Sequence, residues 1–311
     1  VGSHLVERLL DDGREVFVID DFSTGSRDNL PLGRKGLWIA DRDVRDPRVG
    51  NAVPLRCDEI YNLACPASPL HYQADAVKTL QTSVLGTLHM LDLAQAWNAR
   101  LLQASTSEVY GDPEVHPQPE SYCGSVNPLG PRACYDEGKR AAETLCCDYR
   151  RQYGVDNVIV RIFNTYGPRM AAADGRVVSS FVSAAIAGRP FLVAGDGKQT
   201  RSFCYVDDTI DGLVKAMASN LAGPINIGNP YEITIDQLVE AVARAARIDR
   251  PLRAFLPAAK DDPRRRQPDI SMARSLLGWS PKVSLDEGLR RTVQWALKYD
   301  LPHNSAVALP A

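Results

Sequence analysis
The chain has 311 residues, enough for one large domain or two closely joined ones around a substantial core. Hydrophobic residues make up 44% and charged residues 24%, and the formal net charge is -2, so no global field draws it to nucleic acid or an acidic membrane surface. An anionic ligand must be held by local groups, and no apolar run in the part seen approaches the roughly 20 residues that span a bilayer.

The seven cysteines follow neither a metal-ligand spacing nor a disulfide framework, which fits reduced thiols and a cytoplasmic setting, with no metal expected. The sequence begins at Val1 without an initiator Met, so an upstream targeting or anchor segment stays open.

Taken in order, residues 1–15 read as a helix with Leu5, Leu9 and Leu10 on one face, stopped at Asp11-Asp12-Gly13. Glu15 to Asp20 follows as a buried strand ending in an acid. A helix opening at Gly2-Ser3 and feeding such a strand is the second half of a dinucleotide-binding βαβ unit, whose first half is expected upstream of Val1. Gly2 then lets backbone approach a pyrophosphate at a helix N-terminus, and Asp20 takes the ribose hydroxyls, favouring NAD over NADP. Alone, Gly2 reads equally well as a simple helix-start glycine.

Asp20-Asp21-Phe22-Ser23-Thr24-Gly25 opens a polar loop. Trp38 to Val44 is a second short strand, with Asp43 and Val44 expected near the adenine, and Asp58 to Ala64 a third. After the Pro-rich loop from Pro66 to Pro69, residues 75–97 are helical by period, with Val77, Leu80, Val84, Leu88, Leu91 and Leu93 expected to be buried. Arg100 to Ser105 is a strand that carries Thr106, Ser107 and Glu108 at its C-terminal end, where open parallel sheets bind ligands.

Residues 111–131 contain five prolines and little periodicity, which predicts a long ordered loop over the site. A helix to about Tyr153 follows. It places Tyr135 and Lys139 four apart on one face, and an ammonium beside a phenol favours the phenolate. The same spacing is frequent on half-exposed helix faces, so the pair alone decides nothing. Asn157 to Phe163 is a further buried strand, Tyr205 to Ser219 a helix, and Pro224 to Gly228 a strand returning to the sheet. The expected architecture is α/β: a doubly wound, Rossmann-type parallel sheet in 1–167, rejoined by 204–229. A smaller, discontinuous C-terminal substrate domain takes 168–203 and 230–311.

Four stretches together resemble a known family. They are Thr106 to Gly111, Tyr135-x-x-x-Lys139, Arg161 to Pro168 and Gln199 to Phe203. The chain is similar to extended short-chain dehydrogenase/reductases acting on nucleotide sugars, and within them to the UDP-glucuronate decarboxylases (UDP-xylose synthases). Asp174 to Ser179 and Asp261 to Ile270 extend the likeness over nearly the whole chain.

The resemblance implies a tightly bound NAD, a UDP-sugar substrate and a homodimer built on the helices at 75–97 and 135–153. It also implies a catalytic set of Thr106, Glu108, Tyr135, Lys139 and Arg266, in which Tyr135 takes the proton of the sugar C4 hydroxyl. The implied cofactor set is Gly2, Asp20, Asp21, Phe22, Ser23, Thr24, Gly25, Asp43, Val44, Leu63 and Ala64, with Tyr135 and Lys139. Asn164, Arg176, Arg201 and Asp262 are implied contacts to the nucleotide sugar. Arg266 is chosen over Arg265 only by its distance from Pro268-Asp269-Ile270.

Ser107 stands where related 4,6-dehydratases carry an acid, and a hydroxyl is a poor general acid toward a leaving hydroxide. Where the family usually has Asn before Gly86-Thr87, this chain has Ser83. The rival readings are a nucleotide-sugar 4-epimerase or 4,6-dehydratase, and a silent nucleotide-sugar or NAD sensor that binds without turnover.

Overall fold
The computed structural model describes residues 1–258, 263 and 265–299. The chain opens with α1 (Gly2–Asp11), β1 (Val16–Asp20), β2 (Leu37–Asp41) and β3 (Glu59–Asn62). A helical stretch follows as α2 (Pro69–Ala74), α3 (Ala76–Gln81), a π turn over Thr82–Gly86, and α4 (Thr87–Trp97). β4 (Arg100–Thr106), α5 (Ala133–Tyr153), β5 (Asn157–Ile162) and β6 (Thr165–Tyr166) complete the first half. The second half runs α6 (Val177–Ile186), β7 (Phe191–Ala194), β8 (Thr200–Ser202), β9 (Cys204–Tyr205), α7 (Val206–Ala218) and β10 (Pro224–Ile227). It ends with β11 (Glu232–Thr234), α8 (Ile235–Ala245), β12 (Arg253–Leu256), α9 (Ser271–Leu277) and α10 (Leu285–Tyr299).

The strands form a parallel four-stranded sheet in the order β10-β5-β4-β3 and a parallel pair β1-β2. Successive side chains of a strand point to opposite faces, and here both faces are apolar. In β4, Leu101 packs with Leu91, Cys146 and Ile159, whereas its neighbour Leu102 packs with Val158, Val160 and Leu213. Hence α4 and α5 cover one face and α7 the other, with α1 beside α7. A sheet buried on both sides needs near-continuous apolar strands, which is what β4 and β5 supply. Smaller pairings, β7 with β12 and β8 with β11, lie in the later chain. Among the described residues no helix is long and apolar enough to cross a membrane.

Two expectations are corrected. Val77 and Leu80 are 69% and 42% exposed, not buried. Periodicity finds an apolar face but does not say what covers it. The π turn explains the return to burial at Leu91: each π turn closes one residue later than an α turn, so the stripe rotates before α4. The Pro-rich loop is also shorter than read, because Pro69 starts α2, where a missing N–H costs nothing.

Candidate active site
β4 and α5 bring the central residues together. α5 turns Tyr135, Lys139, Ala142 and Cys146 inward at intervals of four and three, the stripe of a helix lying on a sheet. Gly154 ends it in a left-handed cap. At the C-terminal end of β4, the Thr106 hydroxyl lies beside the Tyr135 phenol and accepts from the Glu108 amide at 3.2 Å. Lys139 is 3% exposed, donates from Nζ to the Ala104 carbonyl at 2.9 Å, and lies 5.8 Å from the Tyr135 ring centre.

The expected effect of Lys139 on the phenol is not the dominant one here. Burial pushes the Tyr135 phenol up, and the Thr106 hydroxyl works against it. Burial likewise pulls the Lys139 ammonium down. Both groups are desolvated, so small changes in what lies beside them carry large electrostatic weight.

Glu108 and Arg266, 158 residues apart, form a buried ion pair, with the guanidinium 2% exposed and also donating to the Gly111 carbonyl at 3.2 Å. Arg265 is exposed, and of the two arginines it is Arg266 that meets Glu108. A second guanidinium, from Arg132 at the start of α5, takes the other Glu108 oxygen. Burial raises the Glu108 carboxyl, but Arg266 and Arg132 outweigh it and hold it at about 2. It is a carboxylate at neutral pH.

A cleft of about 2090 Å³ is lined by both β1 and β3. Gly2, Asp20, Asp21, Phe22, Ser23, Thr24, Gly25, Asp43, Val44, Leu63 and Ala64 all line it. Asp20, at the end of β1, accepts from the Phe22 amide at 2.7 Å, and burial pushes its carboxyl up. Asp21 is paired with Lys78 at 2.7 Å and Asp43 with Arg45 at 2.6 Å. The Val44 carbonyl meets His89 Nδ1 at 2.9 Å, and Gly2 approaches Leu63 closely enough that an added Cβ would lie 4.0 Å from its Cδ1.

The substrate candidates are more dispersed. Arg176 lines the cleft and pairs with Asp174 at 2.6 Å. Asn164 accepts from the Cys204 amide at 2.9 Å through its carbonyl. Arg201 is 7% exposed on β8 and donates to the Thr200 carbonyl at 2.8 Å, away from the cleft walls. Asp262 lies outside the described residues.

A family profile described as GDP-mannose 4,6 dehydratase matches residues 1–292. Over 308 residues the chain is 50% identical to UDP-glucuronic acid decarboxylase 3 of Arabidopsis thaliana, spanning 98% of this chain and 88% of that protein. It is 51% identical over 297 residues to UDP-glucuronic acid decarboxylase 1 of Danio rerio, spanning 95% and 70%. The chain belongs to the UDP-glucuronic acid decarboxylase family. Its fold is that of the extended short-chain dehydrogenase/reductases, Rossmann-type with a C-terminal substrate domain. A dTDP-glucose 4,6-dehydratase from Streptomyces venezuelae, solved with NAD bound, superposes with a TM-score of 0.87 at 28% identity, covering 96% of this chain and 94% of that one.

Three neighbours of this cluster were not read from the sequence. Arg132 carries a signal in hindsight: a cation directly after Pro131, three residues before Tyr135. Tyr72 stacks flat on Tyr135 with ring centres 5.0 Å apart, and its buried hydroxyl has no partner among the described residues. Asp136 is 6% exposed, with Oδ1 unpartnered among the described residues.

Burial, and then the charge of Glu108, raise the Asp136 carboxyl from 3.8 to about 7. An acid whose folded value lies above its unfolded one stabilises the fold while protonated. That contribution is complete below the unfolded value and is lost as pH climbs through the folded one. Asp136→Asn is therefore expected to remove a decline in stability between about pH 4 and pH 7. Urea midpoints of the two proteins across that range check it; parallel curves would contradict it.

Proposed function
We propose that this chain converts UDP-glucuronate to UDP-xylose with a resident NAD, through oxidation at C4, loss of CO2 and re-reduction at C4. The observation that carries the reading is the buried Arg132–Glu108–Arg266 cluster beside Thr106 and Tyr135, in a chain half identical to UDP-glucuronic acid decarboxylases.

The donor set of the cleft fits NAD: an acid at the end of β1 for ribose hydroxyls and glycine backbone at the start of α1, while Thr106, Tyr135 and Lys139 lie outside its lining. Gly2, the loop Asp20 to Gly25, Asp43, Val44, Leu63 and Ala64 would hold it, with Lys139 on the nicotinamide ribose. NAD, when bound, supplies the acceptor for the C4 hydride and gives that hydride back. Tyr135 moves the C4 hydroxyl proton and Thr106 orients that hydroxyl, with the Lys139 ammonium 5.8 Å from the phenol ring. A carbonyl at C4 lies β to the C6 carboxylate. The electron pair left when CO2 departs is therefore delocalised onto the C4 oxygen, and the sugar carries its own electron sink.

Glu108, fixed as a carboxylate, is an acceptor that orients the sugar or relays a proton at C5. Arg266 offers a guanidinium fork to the substrate carboxylate. Asn164, Arg176, Arg201 and Asp262 are assigned to the nucleotide part. The reading divides the chain as 1–167 with 204–229 for NAD, and 168–203 with 230–311 for the nucleotide sugar. It also pairs two copies through the helices at 75–97 and 135–153, where exposed Val77, Leu80 and Leu85 offer apolar surface.

Removing the Asp20 carboxylate is expected to weaken NAD binding by roughly 10- to 100-fold, the worth of hydrogen bonds to a charged group. Calorimetric titration of Asp20→Ala with NAD measures it; an unchanged affinity would remove Asp20 from the site.

The dehydratase reading is weakened by Ser107, and the 4-epimerase reading by a carboxylate at 108 that has no task in inversion at C4. Incubation with UDP-glucuronate decides among them. CO2 release supports the proposal. Consumption of UDP-glucose or dTDP-glucose without CO2 from UDP-glucuronate sinks it, and binding without turnover of any of the three favours a sensor.

A further inference from the structure
The loop 111–131 holds no helix or strand longer than a turn, yet Gln118 within it is fully buried. A buried amide must have its donors and acceptor met, and this one meets them largely on a single distant segment. Its backbone N–H donates to the Gln267 carbonyl at 2.9 Å, and its carbonyl accepts from the Asp269 amide at 3.0 Å. The side chain repeats the grip, with Oε1 accepting from the Gln267 amide at 2.8 Å and Nε2 donating to Val115 within the loop at 2.8 Å. Asn226 of β10 closes the clasp, donating to the carbonyls of Gln118 at 2.9 Å and Asp269 at 3.0 Å.

The residue before this clasp is Arg266. A guanidinium on a long stem is only as well placed as the backbone beneath it, and here Gln118 holds the segment directly after Arg266, whose own carbonyl accepts from Ser202 Oγ at 3.3 Å. The other end of Arg266 meets Glu108 and the Gly111 carbonyl, at the start of the same loop. Its buried Nε has no partner among the described residues, so one N–H of a tightly held cation is left for another acceptor. By contrast, Thr106 accepts from the Glu108 amide and Lys139 donates to the Ala104 carbonyl, and neither bond involves Gln118.

We infer that Gln118 is a positioning residue for the carboxylate-handling half of the reaction: it sets Arg266 against Glu108 and leaves oxidation at C4 untouched. This rests on the decarboxylase reading above. The physical basis is that misplacing a group by about 1 Å costs on the order of 100-fold in rate.

Gln118→Met keeps the length and burial of the side chain and removes its hydrogen bonds to Gln267, Val115 and His116. Expected are a fall in kcat for CO2 release of roughly 10- to 100-fold, KM and UDP affinity within about threefold, and a build-up of reduced nicotinamide in a single turnover because oxidation outruns CO2 loss. Combined with Arg266→Lys, the losses are expected not to multiply, since the two residues act as one unit. Should Gln118→Met fail to fold, Gln118→Asn, with the same amide on a shorter stem, carries the same expectation. The inference is overturned if CO2 release is unchanged, if oxidation and CO2 release fall equally, or if the losses multiply with Arg266→Lys. A parent chain that releases no CO2 overturns the decarboxylase reading instead, and this inference with it.

Discussion

Replacing Tyr135 with phenylalanine is expected to abolish turnover while leaving the site assembled. The ring is 5% exposed and stacks on Tyr72, and phenylalanine fills the same space, so packing survives. What disappears is the phenol oxygen beside Thr106, the group assigned to exchange a proton with the C4 hydroxyl. A positioned general base contributes about 100- to 10,000-fold. Because C4 oxidation precedes every later step, the loss falls on the whole reaction. In a single turnover no reduced nicotinamide should form, whereas UDP affinity should stay within about twofold, since that group binds elsewhere. Absorbance of the nicotinamide and calorimetric UDP titration measure the two. Unchanged turnover would remove Tyr135 from its role.

Glu108→Gln is expected to cost both stability and activity. The carboxylate stands between Arg132 and Arg266, and a neutral amide leaves two guanidiniums facing each other in a buried place. Removing one partner of a buried ion pair typically destabilises by about 3–5 kcal/mol. The pH dependence has a definite sign. Burial acts against the charged form, the two guanidiniums overcome it, and the folded value falls from 4.5 to about 2. The stabilisation is therefore whole above pH 4.5 and lost as pH drops toward 2. The variant should start from a lower urea midpoint and show less acid sensitivity in that window. CO2 release should fall roughly 100-fold, the scale of a lost positioning contact. A midpoint and rate equal to the parent's would contradict the account.

Local order was legible from the chain. The interval between Tyr135 and Lys139 announced a shared helix face, and the apolar runs at 100–105 and 157–163 announced strands. Asp20, read at the end of a strand, lines the cleft at the end of β1. What the sequence could not supply was long-range pairing. Three consecutive arginines look alike until the backbone turns Arg266 inward and Arg265 out. Arg132 meets Glu108 across 24 residues, and no local period encodes that contact. Gln118 sits in a stretch whose prolines announce only the absence of helix, yet it is tied to residues 267–269 by both backbone and side chain. Burial was misjudged at Val77 and Leu80 because amphipathicity shows which face is apolar, not whether this chain or another surface covers it.

The most direct test is the product that the chain makes from UDP-glucuronate in D2O. The account expects UDP-xylose carrying one deuterium at C5, where solvent replaces the departing carboxyl, with the original hydrogen retained at C4. A product that keeps its carboxylate, or one with deuterium at C4 and none at C5, would contradict it.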